Sequence, residues 1–246
     1  MKLNLVSAII FFILSNNVNA ATISGQGTWE TTLQSRDLDG NASTAEAYYD
    51  TVLDITWLAD ANYADTSGYH SNGHMDKFAA TYWVNSLSLG GVGGWRLPNT
   101  IDVGNDGYTY YTNEFHGVDA GYNITTHSEL SHMFYNVLGN TAWFDTSGIE
   151  TGCTAPDYCL TNTGPFSNLQ SESYWSGTDF APIITSSWRF SMKLGQQSQT
   201  SKTYQQYAWA VHDGDVGAAV VPLPPAIWLF GTGLIGLIGI AKCKRA

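Results

Sequence analysis

Arg96 stands in Trp95-Arg96-Leu97-Pro98, a guanidinium between large apolar residues and a proline on what reads as a short, stiff strand end. Two roles follow for it. One is a charge that contacts a ligand. The other, favoured because a lone buried charge is costly, is an ion pair with a carboxylate such as Glu129 beneath an aromatic cluster. Nine tryptophans and fourteen tyrosines are more than a core of this size requires, and such rings stack on sugar faces when exposed. Trp175 and Trp209 join Arg96 as candidate ligand contacts, although alternation along the chain turns most of the aromatic residues inward.

Metal chemistry has one candidate. Asp37, Asp39 and Asn41 in Asp37-Leu38-Asp39-Gly40-Asn41 have the carboxylate and amide density of a calcium loop. The EF-hand pattern is not met, because Gly40 and Ala42 are misplaced and no glutamate falls at the twelfth position. A solvated turn is the favoured reading, and a calcium site of another type stays open beside it. His212-Asp213-Gly214-Asp215 carries a similarly small weight. His70 with His74, and His127 with His132, lack an acidic third ligand or general base at zinc-enzyme spacing. The sequence holds no Gly-x-Ser-x-Gly elbow and no nucleotide-binding glycine loop, so a non-catalytic protein without a cofactor other than calcium is expected. The alternative is an extracellular hydrolase working with paired carboxylates of the acidic surface.

Elements that would position these groups can be read from periodicity. Gln26 to Gln34 is expected to form a first strand, followed by an acidic loop and a second extended stretch from Leu53 to Leu58 with alternating apolar and polar residues. Helical spacing begins at Asp76, a suitable cap. There Phe78, Ala79, Tyr82, Trp83 and Leu87 form the apolar stripe, and Gly90-Gly91 is the stop. A second helix is expected from a Thr126/Glu129 capping box, with Leu130, Met133, Phe134 and Val137 buried and Gly139 ending it. Strands follow at Tyr174-Trp175-Ser176-Gly177, at Trp188 to Lys193 and at Tyr207 to Val211, with Gly195 and the Gln/Ser/Thr stretch after it as a hairpin connection. Two helices and a strand-rich end define an α+β domain around an antiparallel sheet.

The ends and the composition place this domain. Residues 1–20 have the layout of a secretory signal: Lys2, an apolar run from Leu5 to Leu14, and Val18-Asn19-Ala20 before a mature start at Ala21. Residues 226–241 carry no charge and are followed by Lys242, Lys244 and Arg245 in the tail 242–246, which reads as a short membrane span with a cytoplasmic basic end. Between the two apolar segments lie all twenty-one acidic residues and only six basic ones, so the exported part is about fifteen charges negative. Such a field repels phosphate backbones and argues against nucleic-acid partners. Cys153 and Cys159 lie in a turn-rich stretch, and a small disulfide loop is favoured over a metal or redox pair, which lacks the usual spacing.

Several boxes in a fixed order carry a resemblance. Asp50-Thr51 with Leu53, Thr56-Trp57-Leu58, Trp83, Gly94-Trp95-Arg96-Leu97-Pro98, Glu129-Leu130, Tyr174-Trp175-Ser176-Gly177-Thr178 and Ala208-Trp209-Ala210-Val211 with Gly214-Asp215 resemble the Lcl C-terminal domain family over residues 47–217. Residues 21–46 would then be an added N-terminal strand and acidic loop. The resemblance implies a C-type-lectin-like fold and a binding function, since the family takes its name from a collagen-like adhesin that binds glycosaminoglycans. This chain departs from the adhesin type in having His212 where relatives usually have arginine, and its strong negative charge disfavours sulfated polysaccharides. The segment 218–225, with Val221, Pro222, Leu223, Pro224 and Pro225, is similar to PEP-CTERM sorting signals of the VPLPA type. That similarity implies an exosortase as partner in a Gram-negative envelope, anchorage at the inner membrane during sorting, and later release to the cell surface or extracellular matrix. The expectation is therefore an exported, surface-sorted, non-catalytic protein that contacts a polysaccharide or an envelope protein.

Overall fold

The computed structural model describes residues 27–101, 108–109, 118–126 and 128–217. The signal segment 1–20, the box Val221 to Pro225, the apolar run 226–241, the tail 242–246 and His127 lie outside the described residues. Among the described residues no helix is long and apolar enough to cross a membrane.

Two antiparallel sheets organise the fold, together with a few helices, as expected for an α+β domain. The first holds β1 (Leu33–Arg36), β2 (Ala47–Asp50), β3 (Ile55–Leu58) and β9 (Val211–Asp213) in the order β1-β2-β3-β9. The second holds β4 (Tyr108–Thr109), β5 (Val118–Ala120), β6 (Ser173–Asp179), β7 (Ser186–Ser191) and β8 (Gln196–Ser201) in the order β4-β5-β8-β7-β6. An isolated Tyr174–Tyr207 bridge and the Trp175 N–H to Tyr207 carbonyl bond tie the β6 edge to the chain leading into β9.

Several local expectations need correction. Residues expected to open with a strand instead form a helical turn, α1 (Trp29–Thr32), before β1. The hydroxyls of Thr31 and Thr32 both donate to the Thr28 carbonyl, a local bond that competes with extended backbone. Gly27, at φ +73°, lies so close to Val137 O that a Cβ would sit 2.2 Å from it, and the Thr28 N–H donates to Asn136 and Val137 carbonyls. The N-terminal segment is thus built into the domain, and β1 pairs along its length with β2. β3 does not alternate between core and solvent: all four residues are buried, and Thr56 is accommodated because its hydroxyl donates to Gly214 O.

The Gln/Ser/Thr stretch after Gly195 is the strand β8, lying between β5 and β7. Its polarity hides it from a hydrophobicity pattern, yet Gln197 is fully buried and Ser128 Oγ donates to its Oε1. Tyr207 and Trp209 fall before β9, in chain that is not a regular strand.

The second helix is broken into a 3-10 turn (Tyr122–Thr126), α4 (Glu129–His132) and a π-helical turn (Met133–Val137). Ser128 occupies its N-cap, and Glu129 sends its carboxylate to Arg96 and Asn99 N–H, so the Thr126/Glu129 box does not close as expected. Leu130, Met133, Phe134 and Val137 are buried as the spacing requires, and Gly139 ends the segment at φ +68°.

The core is aromatic. Trp57, Trp95, Trp175, Trp209, Tyr174, Phe134 and Phe190 are among its largest fully buried side chains. Cys153 and Cys159 are joined, with their sulfurs 2.08 Å apart, and Cys159 is buried at the core edge. Closing a loop this small contributes roughly 2 kcal/mol by restricting the unfolded chain. Mass spectrometry of non-reduced protein is expected to find a Cys153–Cys159 cross-linked peptide; two free thiols there would refute the bond.

Candidate ligand cleft

The three side chains expected to contact a ligand do not meet at a surface. Trp175 and Trp209 are completely buried, with their indole N–H groups donating to Met75 O and Leu58 O at 2.8 Å. Trp209 packs between Trp57 and Phe166, with ring centroids 4.8 and 4.7 Å away. These rings are core.

Arg96 is bound within the protein. Its Nη1 and Nη2 grip the two oxygens of Glu129 at 2.8 Å, while Nε and Nη2 donate to Asp213 Oδ1 at 2.8 and 2.6 Å. Nη1 also donates to Leu97 O. Burial works against its charge, but Glu129 and Asp213 outweigh that and hold the guanidinium above its usual range. Arg96 hydrogen-bonding pulls the Asp213 carboxyl down. The ion-pair reading of Arg96 holds, with both Glu129 and Asp213 as partners.

In the acidic loop the carboxylates of Asp37, Asp39 and Glu46 offer oxygens within 4.8 Å of one another. Asn41 Oδ1 accepts from the Ser43 N–H and hydroxyl. Asp37 Oδ1 accepts from Gly40 N–H, Asp39 Oδ1 from Asn41 N–H, and Glu46 Oε2 from Leu38 N–H. These bonds satisfy the turn by itself, and the chemistry of an oxygen-only cluster would suit calcium. Among the described residues the histidines assemble no metal centre. His74 packs edge-on against Tyr207, and His132 is buried with Nε2 3.5 Å from Asp50 Oδ2.

The arrangement most suited to a ligand lies along α3 (Lys77–Ser86). Asp76 caps this helix by accepting from Ala79 N–H, as expected, but the helix presents a different face to the core. Ala80, Trp83 and Val84 are buried, whereas Phe78 and Tyr82 are 65% and 69% exposed. Residues four apart on a helix are neighbours, so the two rings form one platform. They line a cleft of about 430 Å³ together with Lys77, Thr81, Asn85, Gly177, Asp179 and Lys202.

The facing wall comes from β6 and the end of β8. Between Trp175 and Asp179 β6 advances four residues while β7 moves only from Arg189 to Ser187, which is a bulge. Within the bulge Ser176 O accepts from Lys77 Nζ, and Gly177 packs close to Leu97, where a Cβ would sit 3.1 Å from Leu97 O. Lys202 is anchored through its backbone: its N–H donates to Thr185 O and its carbonyl accepts from Lys77 N–H, the first donor of α3. Its ammonium pairs with Asp179 at 2.8 Å.

Lys77 is only 5% exposed. Burial lowers its ammonium to about 8, with Asp179 opposing the shift and Lys202 adding to it. Between that value and the ordinary lysine range the unfolded chain keeps a proton that the folded chain has lost, so stability rises with pH across this window. Relative to Lys77→Met, the wild type is expected to gain on the order of 3 kcal/mol between pH 8 and 10.5 in urea unfolding. A difference independent of pH would contradict the burial account.

Nothing in local spacing singled out this cleft, since Phe78 and Tyr82 read as part of the helix's apolar stripe. The signal available was the run Lys77-Phe78 directly after a helix cap, with an aromatic residue repeated four positions on. Comparison of the chain with protein-family models, curated proteins and solved structures gave no match.

Proposed function

We propose that this is an exported, non-catalytic binding protein whose α+β domain holds a glycan against the Phe78–Tyr82 platform. The observation that carries the proposal is that platform: two large aromatic rings, one helical turn apart and both mostly exposed, beside a cleft with polar edges. Isolated exposed apolar residues are ordinary, but paired rings beside amide, hydroxyl and charged groups match the alternating apolar faces and polar edges of sugars. The cleft contains one carboxylate, Asp179, already paired with Lys202, whereas a glycosidase needs two facing ones.

A C-type-lectin-like arrangement and kinship with the Lcl C-terminal domain family belong to the same proposal. Their support is the ordered series of boxes and the placing of the first and last described strands, β1 and β9, in one sheet. The terminal segments support export through the signal 1–20, temporary anchorage by 226–241, and exosortase processing near Val221 to Pro225 in a Gram-negative envelope. Glycan arrays followed by calorimetry on the purified chain test the binding reading; no binding to any glycan or envelope extract would defeat it. For processing, a tag near Ala21 should report a smaller protein in cells with the sorting enzyme than without it. Retention of Lys244 and Arg245 in both strains would make the segment a permanent anchor.

A further inference from the structure

Lys77 is the one charge in the cleft that forms no salt bridge among the described residues. Its Nζ donates to Ser176 O, and the nearest acidic group in the cleft, Asp179, is in an ion pair with Lys202. The side chain is more than nine-tenths buried, and it occupies the first turn of a ten-residue helix, where the backbone dipole disfavours a cation. A buried ammonium held by one neutral acceptor is an expensive arrangement for stability alone. An anion entering the cleft would supply the missing partner.

Resting on the glycan-binding reading above, we propose that the cleft selects an acidic sugar, with a single carboxylate of the ligand bound by Lys77 while the sugar ring stacks on Phe78 and Tyr82. Lys77 and Thr81 form one row along α3, and Phe78, Tyr82 and Asn85 form the adjacent one, so charge and platform lie side by side along the helix. Lys202 and Asp179 cancel locally, which leaves the cleft one positive charge inside a strongly negative domain. Close contact with one carboxylate is favourable there, but the surrounding field opposes a densely charged polymer. The ligand class is a sparsely charged uronic-acid glycan and excludes a sulfated polyanion.

The test measures binding of the full-length chain in detergent to three probes: a tetrasaccharide of alternating glucose and glucuronate, neutral cellotetraose, and a heparin-derived sulfated tetrasaccharide. At pH 7 the glucuronate probe is expected to bind about tenfold or more tighter than the neutral one, as a charge-assisted hydrogen bond in a cleft would give. Lys77→Met should abolish that preference, and a cooperative urea unfolding transition followed by circular dichroism shows that the variant is folded. Independently of any variant, the wild-type preference should decline as pH rises from 7 to 10 and Lys77 loses its proton. Asp76, Asp179, Lys202 and Tyr82 are the other titratable groups facing this region, and the Lys77→Met profile subtracts their contribution. Equal binding of neutral and glucuronate probes by the wild type, a preference retained in Lys77→Met, or strongest binding of the sulfated probe would each overturn the proposal and leave glycan binding standing. Failure of all three probes to bind would overturn the acidic-sugar proposal, and the glycan arrays decide the glycan-binding reading separately.

Discussion

Replacing Trp209 by alanine is expected to destabilise the domain by about 4 kcal/mol and to lower Tm by roughly 10 °C. The indole is fully buried, touches the rings of Trp57, Phe166 and Tyr174, and donates to Leu58 O at 2.8 Å. Truncation leaves a cavity among rigid rings that cannot collapse to fill it, and it orphans a buried carbonyl as well. Trp209→Phe keeps most of the volume and should lose about 1–2 kcal/mol, mainly from that carbonyl. Circular dichroism followed through urea unfolding separates the two variants. If Trp209→Ala were fully stable yet lost ligand binding, the indole would be a ligand contact after all, against its complete burial.

The opposite pattern is expected at the platform. Phe78→Ala and Tyr82→Ala remove rings that lie mostly in solvent, so stability should change by no more than about 0.5 kcal/mol. Binding should weaken roughly 30-fold for each ring, as truncation of an aromatic anchor does at about 2 kcal/mol, and the double variant should show no measurable binding. Calorimetry with whichever glycan gives the strongest array signal provides the comparison. Wild-type affinity in the double variant would remove the platform from the binding account.

The contrast between these two residue sets explains what the sequence disclosed. Strands β6 and β7 were legible because Tyr174, Trp175, Trp188 and Phe190 are large buried apolar residues in short runs, and α3 because Asp76 is a real cap. The disulfide and the Arg96–Glu129 pair followed from elementary costs: a small oxidisable loop and a charge among apolar neighbours. β8 was illegible since its buried residues are Gln and Ser, satisfied through partners distant in sequence such as Ser128. Glu46 could not be joined to Asp37 and Asp39 by loop spacing, because the chain returns to them only through the β1–β2 hairpin.

The cleft escaped detection for a related reason. Hydrophobicity assigns Phe78 and Tyr82 to the core and Lys77 to solvent, and the fold reverses all three. Local rules fail most informatively where a protein gives up stability for another use. A helix that exposes two aromatic rings and buries an ammonium has made that exchange twice within six residues of chain.

The central claim is that a glycan sits between α3 and the β6 bulge. Hydrogen exchange with and without the strongest array ligand tests it most directly. Binding at this cleft predicts slowed exchange confined to the amides of residues 77–86, 176–179 and 202. Protection confined to the disulfide loop, residues 151–161, with the α3 amides unchanged, would contradict it.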